Sequence, residues 1–373
     1  MIGPALCVAG LAAGAAAMAR PRRLERAQPW HGNPLVSVVI PARNEAAALP
    51  ALLGSLARLR TGVHEILVVD DNSTDDTAAV AAAHGAQVVR LDGEPPAGWT
   101  GKNRACGRGG AVASGSLLLF LDADVTLADD AVERLLAAHT RHGGLVSVQP
   151  FHAVEAPYEE LSAGPNLVSL MGSGVCAAWP ASPTRPAAFG PCLLTSAADY
   201  GTVGGHAAVR GDVVEDLALA RRYAAAGLPV NVFLGSRTVS FRMYPRGVTQ
   251  LVHGWTKNLA AGSSAAQPLA LAAAVAWLTT ALAIGVHGVR TLVGWRGVTL
   301  PEAALAGAGW VAVAAQMHWW LRRIGSFRPA TAWLHPLPLW AFVILFVRSL
   351  WLTAFRRRVR WSDRPIDLRR AAR

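Results

Sequence analysis

Two aspartates one residue apart, Asp122-Ala-Asp124, carry the clearest chemistry in this 373-residue chain. On an extended segment, side chains at i and i+2 point the same way, so both carboxylates can approach one hard divalent cation, directly or through water. The plainer reading is a solvated turn or the cap of a helix starting near Ala128, although Asp129 and Asp130 can already serve that helix. A second acidic run, Asp70-Asp-Asn-Ser-Thr-Asp-Asp-Thr77, reads first as a helix cap with acidic first-turn residues. A third pair, Glu215-Asp216, opens a helical run from Leu217 to Ala226. Exposed amides at a helix N-terminus hold a carboxylate ionised, as a general base requires; an ordinary acidic helix start is the alternative. Lysine usage points to a fourth place. Of 35 Lys plus Arg, only Lys102 and Lys257 are Lys, in Gly98-Trp-Thr-Gly-Lys102-Asn and Gly254-Trp-Thr-Lys257-Asn. A compact, mobile ammonium suits a phosphate group that must later be released, so Lys102 is the expected contact and Lys257 a second candidate. The competing picture leaves Lys102 on a surface loop.

The elements that must position these residues alternate. Leu35-Val-Ser-Val-Val-Ile40, Glu65-Ile-Leu-Val-Val69, Gln87-Val-Val-Arg-Leu91 and Ser116-Leu-Leu-Leu-Phe-Leu121 are short apolar runs separated by helical stretches, the last of them Gly-rich. That pattern predicts an α/β domain whose mostly parallel central sheet is covered on both faces. In such folds ligands sit beyond the carboxyl ends of the strands, where Pro41-Ala-Arg-Asn-Glu45, Asp70–Thr77 and Asp122-Ala-Asp124 all fall.

Taken together, these strand-end segments and the later Glu215-Asp216 resemble the family 2 glycosyltransferases of the Rossmann-like GT-A fold. Their pattern is Pro-x-x-Asn-Glu, Asp-Asp-x-Ser-x-Asp-x-Thr, Asp-x-Asp and Glu-Asp, in that order. Each motif alone is weak; the four together, at strand ends, are specific. The resemblance implies a nucleotide-sugar donor, with Asp71 reading the base or ribose and Pro41, Ala42 and Glu45 lining the same pocket. It implies Asp122 and Asp124 at a divalent metal, Mg2+ or Mn2+, that neutralises the departing diphosphate. It also makes Asp216 the general base of a single, inverting displacement. The segments Gly98–Cys106, Phe189-Gly-Pro-Cys192, Gly204-Gly-His206, Ser240-Phe-Arg-Met-Tyr-Pro245 and Gly254–Lys257 look like those of the carotenoid-acid glucosyltransferase group, typified by 4,4'-diaponeurosporenoate glycosyltransferases, with hopanoid-associated enzymes next. Glucose from UDP-glucose and a lipid or isoprenoid acceptor such as a carotenoid acid follow from that resemblance, and Glu215, His206, Trp255 and Lys257 become acceptor-side candidates. Polyisoprenyl-phosphate or hopanoid-type transfer shares every donor motif; a non-catalytic nucleotide-sugar-binding membrane protein is the reading from another class. Processive members carry Gln-x-x-Arg-Trp where this chain has Gln250-Leu-Val-His253-Gly-Trp255, which argues against polymerisation.

Composition supplies the setting. A hydrophobic share of 52% with 16% charged residues is too apolar for an ordinary soluble enzyme. Four stretches, Ile2–Ala19, Leu269–Val289, Ala303–Leu321 and Ala332–Leu352, qualify at the roughly 18 to 22 apolar residues needed to cross a bilayer. The expected organisation is an N-terminal anchor over 1–20, a catalytic domain over 34–262, a C-terminal membrane region of about three helices over 268–352, and a basic tail over 353–373. The charge of +11 is concentrated beside membrane segments: Arg20–Arg26 and Arg356–Arg373 hold twelve Arg against Glu25, Asp363 and Asp367, nine of the eleven positive charges. Such clusters fit the positive-inside rule and anionic lipid, with no aromatic-basic nucleic-acid pattern elsewhere. A multi-pass protein of the cell membrane with its catalytic domain in the cytoplasm is therefore expected. Ala17-Met-Ala19 also resembles a signal-peptidase site, but no positive charge precedes it and four Arg follow, favouring an uncleaved anchor. One plus three crossings would place the tail outside while its charge places it inside. The segment interrupted by His335-Pro-Leu-Pro338 is thus the candidate for a re-entrant or interfacial course. Val359-Arg-Trp-Ser-Asp-Arg364 loosely matches a Val-x-Trp-Lys-Gly-Arg element of membrane-bound relatives, with Lys and Gly replaced. Cys7, Cys106, Cys176 and Cys192 lack metal-ligand spacing and read as reduced thiols.

Overall fold

A computed structural model describes residues 3–26, 35–180, 182, 184–263, 266–294, 299–352, 358–361 and 364–367. The chain divides into two compact units. One comprises Arg22–Phe151, Pro186–Met243 and Leu352–Arg373; the other comprises Met1–Pro21, His152–Arg185 and Tyr244–Trp351. Segments 152–185 and 244–262, expected inside the catalytic domain, thus group with the helices.

The first unit is built on a seven-stranded sheet. In chain order its elements begin β1 (Val36–Ala42), α2 (Leu49–Ala57), β2 (Glu65–Asp70), α3 (Thr77–Ala83), β3 (Gln87–Arg90), α4 (Gly101–Val112), β4 (Leu117–Leu121), β5 (Val125–Leu127), α5 (Ala131–His142) and β6 (Leu145–Gln149). After a short strand β7 (Phe151–His152) come β8 (Cys192–Ser196), α7 (Ala197–Thr202), a 3-10 turn (Gly205–Val209), α8 (Glu215–Ala225), β9 (Val230–Leu234) and β10 (Val239–Phe241). The strand order is β3-β2-β1-β4-β8-β6-β9. All neighbours are parallel except that β8 runs antiparallel to both β4 and β6. The four predicted strands fall where expected, within a residue or two at each end.

Successive residues of β1 and β4 face opposite sides, which is why these strands read as unbroken apolar runs. Val38, Ile40, Leu119 and Leu121 pack with Leu49, Leu52 and Leu56 of α2 and Leu135 and Leu136 of α5. Val39, Leu67, Leu118 and Phe120 pack with Ala105 and Cys106 of α4 and Leu219 and Tyr223 of α8. The Gly-rich character of α4 has a packing cause: a Cβ on Gly109 would lie 2.3 Å from Val39 Cγ1, and one on Gly110 would lie 2.9 Å from Tyr200. Only a bare helix face comes this close to the sheet.

The second unit holds α1 (Pro4–Ala17), α6 (Ala163–Ser173), α9 (Val248–Ser263), α10 (Pro268–Leu292), α11 (Leu300–Ile324), α12 (Pro329–Trp333) and α13 (Pro336–Trp351). Gly10 and Gly14, one turn apart on α1, let it seat on α10, since Cβ atoms there would fall 2.0 Å from Thr280 Oγ1 and 2.2 Å from Trp277 Cδ1. Trp277 Nε1 donates to Gln316 Oε1 at 3.0 Å, and Gln316 Nε2 donates to the Leu11 carbonyl at 3.0 Å, tying α10, α11 and α1 together.

The expectation of four membrane-length segments needs correction. Among the described residues one helix, α10, is both long and apolar enough to cross a membrane. Helix α1 has 14 residues and α13 has 16, short of a span. The 25-residue α11 is long enough but carries Glu302, Gln316, His318, Arg322 and Arg323. The expected break at Pro336 is present: α12 ends at Trp333 and α13 restarts with Pro336 as its first residue, the one helical position where a missing N–H costs nothing. In the tail, Arg358–Trp361 and Arg364–Asp367 form an antiparallel pair, while Arg356 and Arg369–Arg373 lie outside the described residues.

Candidate active site

Two strand ends come together first. The parallel register Ala42↔Asp70 places the loops after β1 and β2 side by side. Each turns through an asparagine in the left-handed region, Asn44 at φ 56° and Asn72 at φ 55°, a conformation that Asn tolerates better than most residues. The two loops are then stitched. Asp71 N–H donates to the Ala42 carbonyl at 2.9 Å, Asn44 N–H to Ser73 Oγ at 3.0 Å, Thr74 N–H to Asn44 Oδ1 at 2.8 Å, and Glu45 N–H to Thr77 Oγ1 at 2.9 Å. So the polar residues of Pro41–Glu45 and Asp70–Thr77 hold each other, and the expected helix-cap role of Ser73–Thr77 is only part of their work. Asp76 is the residue preceding α3, but its side chain makes no cap bond.

Asp71 is fully buried on this floor. Arg104 Nη1 approaches its Oδ1 at 3.4 Å while also donating to the Gly93 carbonyl at 3.1 Å, and Arg104 Nη2 reaches the Asp92 carbonyl at 2.8 Å. Arg43 Nη1 donates to the carbonyls of Asp71 at 2.7 Å and Asn72 at 2.9 Å. Neither arginine was singled out from the sequence; the signal available was their placement inside two motif segments.

The second cluster forms where β4 and β8 end. Antiparallel pairing of Leu121 with Cys192 sets Asp122 beside Pro191, whose carbonyl accepts from Asp122 N–H at 3.0 Å. Asp122 and Asp124 lie in the turn between β4 and β5, not on an extended segment, because the Asp122 carbonyl already accepts Val125 N–H at 3.1 Å. The competing cap reading loses its basis: α5 begins at Ala131, and Asp130 pairs with Arg134 Nη2 at 2.6 Å instead of capping.

Lys102 stands in the first turn of α4, whose start is fixed by Thr100 Oγ1 accepting from Asn103 N–H at 3.2 Å and by Asn103 Nδ2 donating to the Val209, Arg210 and Asp212 carbonyls. It is no surface-loop lysine. Its Nζ lies 2.7 Å from Asp122 Oδ1 and 2.8 Å from Glu215 Oε1. Burial disfavours the ammonium, but Asp122 and then Glu215 outweigh it and hold Lys102 well above its usual value. Burial and the charges of Asp122 and Glu45 push Asp124 up to about 8.

Next to Glu215, Asp216 Oδ2 accepts Gly190 N–H at 2.8 Å and Oδ1 accepts Leu217 N–H at 2.8 Å. The helix start does supply an amide, but burial and the adjacent Glu215 prevail and push Asp216 up to about 7. The expected hold of the helix-start amides on the ionised form is present, but burial and Glu215 oppose it. Gly190 sits at the centre of this cluster. A Cβ there would lie 3.2 Å from Glu215 Oε1, 3.3 Å from Lys102 Nζ and 3.4 Å from Asp216 Cβ.

His206 is buried behind the cluster, its Nδ1 bonded to Tyr200 Oη at 2.8 Å and its ring against Phe120. Burial lowers it to about 4, so it is neutral at pH 7. In the helical unit, Trp255 on α9 is buried, donates from Nε1 to Ser162 Oγ at 3.0 Å and meets Tyr244 edge-on. Lys257 lies two residues further along α9 and is half-buried.

The site thus brings together the stitched loops over buried Asp71, the Asp122 and Asp124 carboxylates, Lys102 and the near-neutral Asp216. Known proteins resemble this chain. The Glycosyl transferase family 2 model matches residues 37–165. The 4,4'-diaponeurosporenoate glycosyltransferase of Staphylococcus aureus (strain MRSA252) is 34% identical over 336 residues, covering 89% of this chain and 88% of that protein. The solved mannosyltransferase PcManGT from Pyrobaculum calidifontis, in complex with GDP-Man and Mn2+, superposes with a TM-score of 0.50 at 18% identity, covering 93% of this chain and 98% of that one. With a relative this similar over nearly its whole length and the four motifs brought to one sheet edge, the chain belongs to glycosyl transferase family 2.

Proposed function

We propose that the chain transfers glucose from UDP-glucose, with inversion, to a carotenoid-type carboxylic acid or a related isoprenoid acceptor at the cytoplasmic face of the cell membrane. The observation that carries the reading is Lys102, which links the donor-side Asp122 to the Glu215-Asp216 pair within single hydrogen-bond distances. Donor and acceptor chemistry thereby meet at one point. The acceptor oxygen attacks the anomeric carbon, and the bond from that carbon to the diphosphate breaks with its electron pair on the phosphate oxygen. A hydroxyl acceptor gives its proton to Asp216, whereas a carboxylate has none to give.

In this reading Asp71, Pro41 and Ala42 form the nucleoside floor and Lys102 faces the diphosphate. The donor set fits a hard divalent cation: Asp122 and Asp124 offer oxygen only, and Asp124 is crowded by negative neighbours that a cation would relieve. Among the described residues no group of three or more His, Cys, Asp and Glu stands ready for a metal, so the donor's own phosphates and water would complete the shell, as Mg2+ and Mn2+ accept. Such an ion supplies charge neutralisation of the leaving diphosphate.

Membrane seating is supported by the helical unit's surface. On α13, Leu337, Trp340, Ile344, Val347 and Trp351 are exposed at helical spacing, while Leu339, Phe342 and Leu345 are buried. An apolar stripe ending in tryptophans suits lipid, with α10 as the spanning helix. The test is UDP release from UDP-glucose by protein in vesicles containing a carotenoid acid. Release that needs a divalent cation and vanishes in Asp124→Ala supports the proposal; UDP-glucose binding without release across carboxylate and hydroxyl isoprenoids refutes it.

A further inference from the structure

The Lys102 bridge has two ends with different surroundings. Asp122 lies at the donor edge with 28% of its side chain exposed, whereas Glu215 shows 10%. Asp122 is also one of the two carboxylates that the proposed function assigns to a cation. A cation drawing on Asp122 competes directly with Lys102 for its oxygens, and Glu215 then becomes the lysine's remaining anchor. The chain leaves room for that anchor: Gly190 has no side chain where a Cβ would lie 3.2 Å from Glu215 Oε1 and 3.3 Å from Lys102 Nζ. Glu215 is fixed in turn, because it opens the 11-residue α8 and the next residue is tied to Gly190 N–H.

From this geometry we infer that Glu215 is a positioning residue, which keeps the Lys102 ammonium aimed at the donor diphosphate when Asp122 is engaged elsewhere. The inference rests on the reading of Lys102 as a diphosphate contact. Glu215 touches neither sugar nor phosphate in this role; it acts through the lysine. Its loss should therefore weaken donor binding, and that effect on binding should vanish when Lys102 is absent.

A double-mutant cycle with the full-length protein in vesicles and UDP-glucose tests this. With a carboxylate acceptor, which has no proton for Asp216 to take, Glu215→Gln should raise the KM for UDP-glucose about tenfold and change kcat by less than about threefold, the scale of one charge-assisted hydrogen bond lost from uniform binding. Lys102→Met should raise the same KM by at least as much. In the Lys102→Met background, Glu215→Gln should change KM by less than about twofold, because residues acting through one another are not additive. Multiplying effects would overturn the inference, as would a kcat loss larger than the KM change. If Lys102→Met leaves the KM unchanged, the diphosphate reading of Lys102 fails instead, and the two failures are told apart. Should Glu215→Gln not fold, Glu215→Asp takes its place in the cycle, since it keeps the charge and shortens the reach by one methylene. Thermal melts of all variants exclude a loss caused by unfolding.

Discussion

Asp216→Asn tests the assignment of the base most directly. Asp216 is held near 7 because burial and Glu215 oppose ionisation, while Lys102 and the N–H groups of Gly190 and Leu217 favour it. A base with that affinity is close to ideal for proton removal at neutral pH. With a hydroxyl acceptor, kcat/KM should therefore rise about tenfold per pH unit up to about pH 7 and then level off, so the wild type at pH 5 runs at roughly one-hundredth of its plateau. Asp216→Asn should lower the plateau by about a hundredfold or more and erase that limb, a loss of at least about 2.7 kcal/mol in transition-state stabilisation. With a carboxylate acceptor, already ionised above pH 5, the same variant should lose clearly less, and the wild-type limb near 7 should flatten. The assay is UDP release measured from pH 5 to 9 with a carotenoid acid and with its alcohol. Equal, large losses with both acceptors would refute the proton-transfer role and assign Asp216 to binding. The substitution also bears on stability, with a definite sign. A carboxyl raised in the folded state binds its proton more tightly there than in the unfolded chain, so its contribution is intact at pH 4 and is lost as pH climbs toward 7. Asp216→Asn should accordingly melt higher relative to wild type at pH 8 than at pH 5.

Other substitutions probe the remaining parts. Gly190→Ala must displace Glu215, Lys102 or Asp216 by a few tenths of an ångström; it should fold and lose about ten- to a hundredfold in kcat/KM, and unchanged kinetics would count against the compactness of the cluster. Arg104→Met removes the cation beside fully buried Asp71 and should weaken UDP binding about tenfold by calorimetry, on the scale of a lost charged hydrogen bond. Gly109→Ala drives a Cβ into Val39 and should cost about 1–3 kcal/mol in denaturant unfolding. Gly54→Ala, on α2 with its nearest neighbour 3.7 Å away, should instead gain about 0.5–1 kcal/mol.

The catalytic unit was legible because its signals are local. An apolar run such as Leu117–Leu121, buried on both faces, announces itself without knowledge of its neighbours, and a parallel sheet leaves its strand ends on one edge. The places of Asp71, Asp122 and Asp124 followed from that alone. What the sequence could not display was pairing across distance. The segment Phe189-Gly-Pro-Cys192 stands out in the sequence, but the place of Gly190 between Lys102 and Asp216 emerges only once β8 runs back along β4. Arg43 and Arg104 sit in the correct motifs, but their bonds to the Asp71 loop depend on how β1, β2 and α4 stack. His206, an acceptor-side candidate from the sequence, shows surroundings that the sequence could not display: its ring is buried against Phe120 and bonded to Tyr200.

The helical unit departs from the expected spans for a related reason. Hydropathy along the chain measures how apolar a stretch is, and cannot separate a helix that faces lipid from one that faces other helices. Helix α1 is apolar throughout yet turns Gly10 and Gly14 against α10, so much of its apolar character serves helix packing. Helix α13 divides the same chemistry by face, burying Leu339, Phe342 and Leu345 and exposing Trp340, Ile344 and Trp351. At 16 residues it reaches about 24 Å at 1.5 Å per residue, short of a hydrocarbon core about 30 Å thick. A stripe of that length with tryptophans at intervals is better suited to lying in the headgroup boundary than to crossing it.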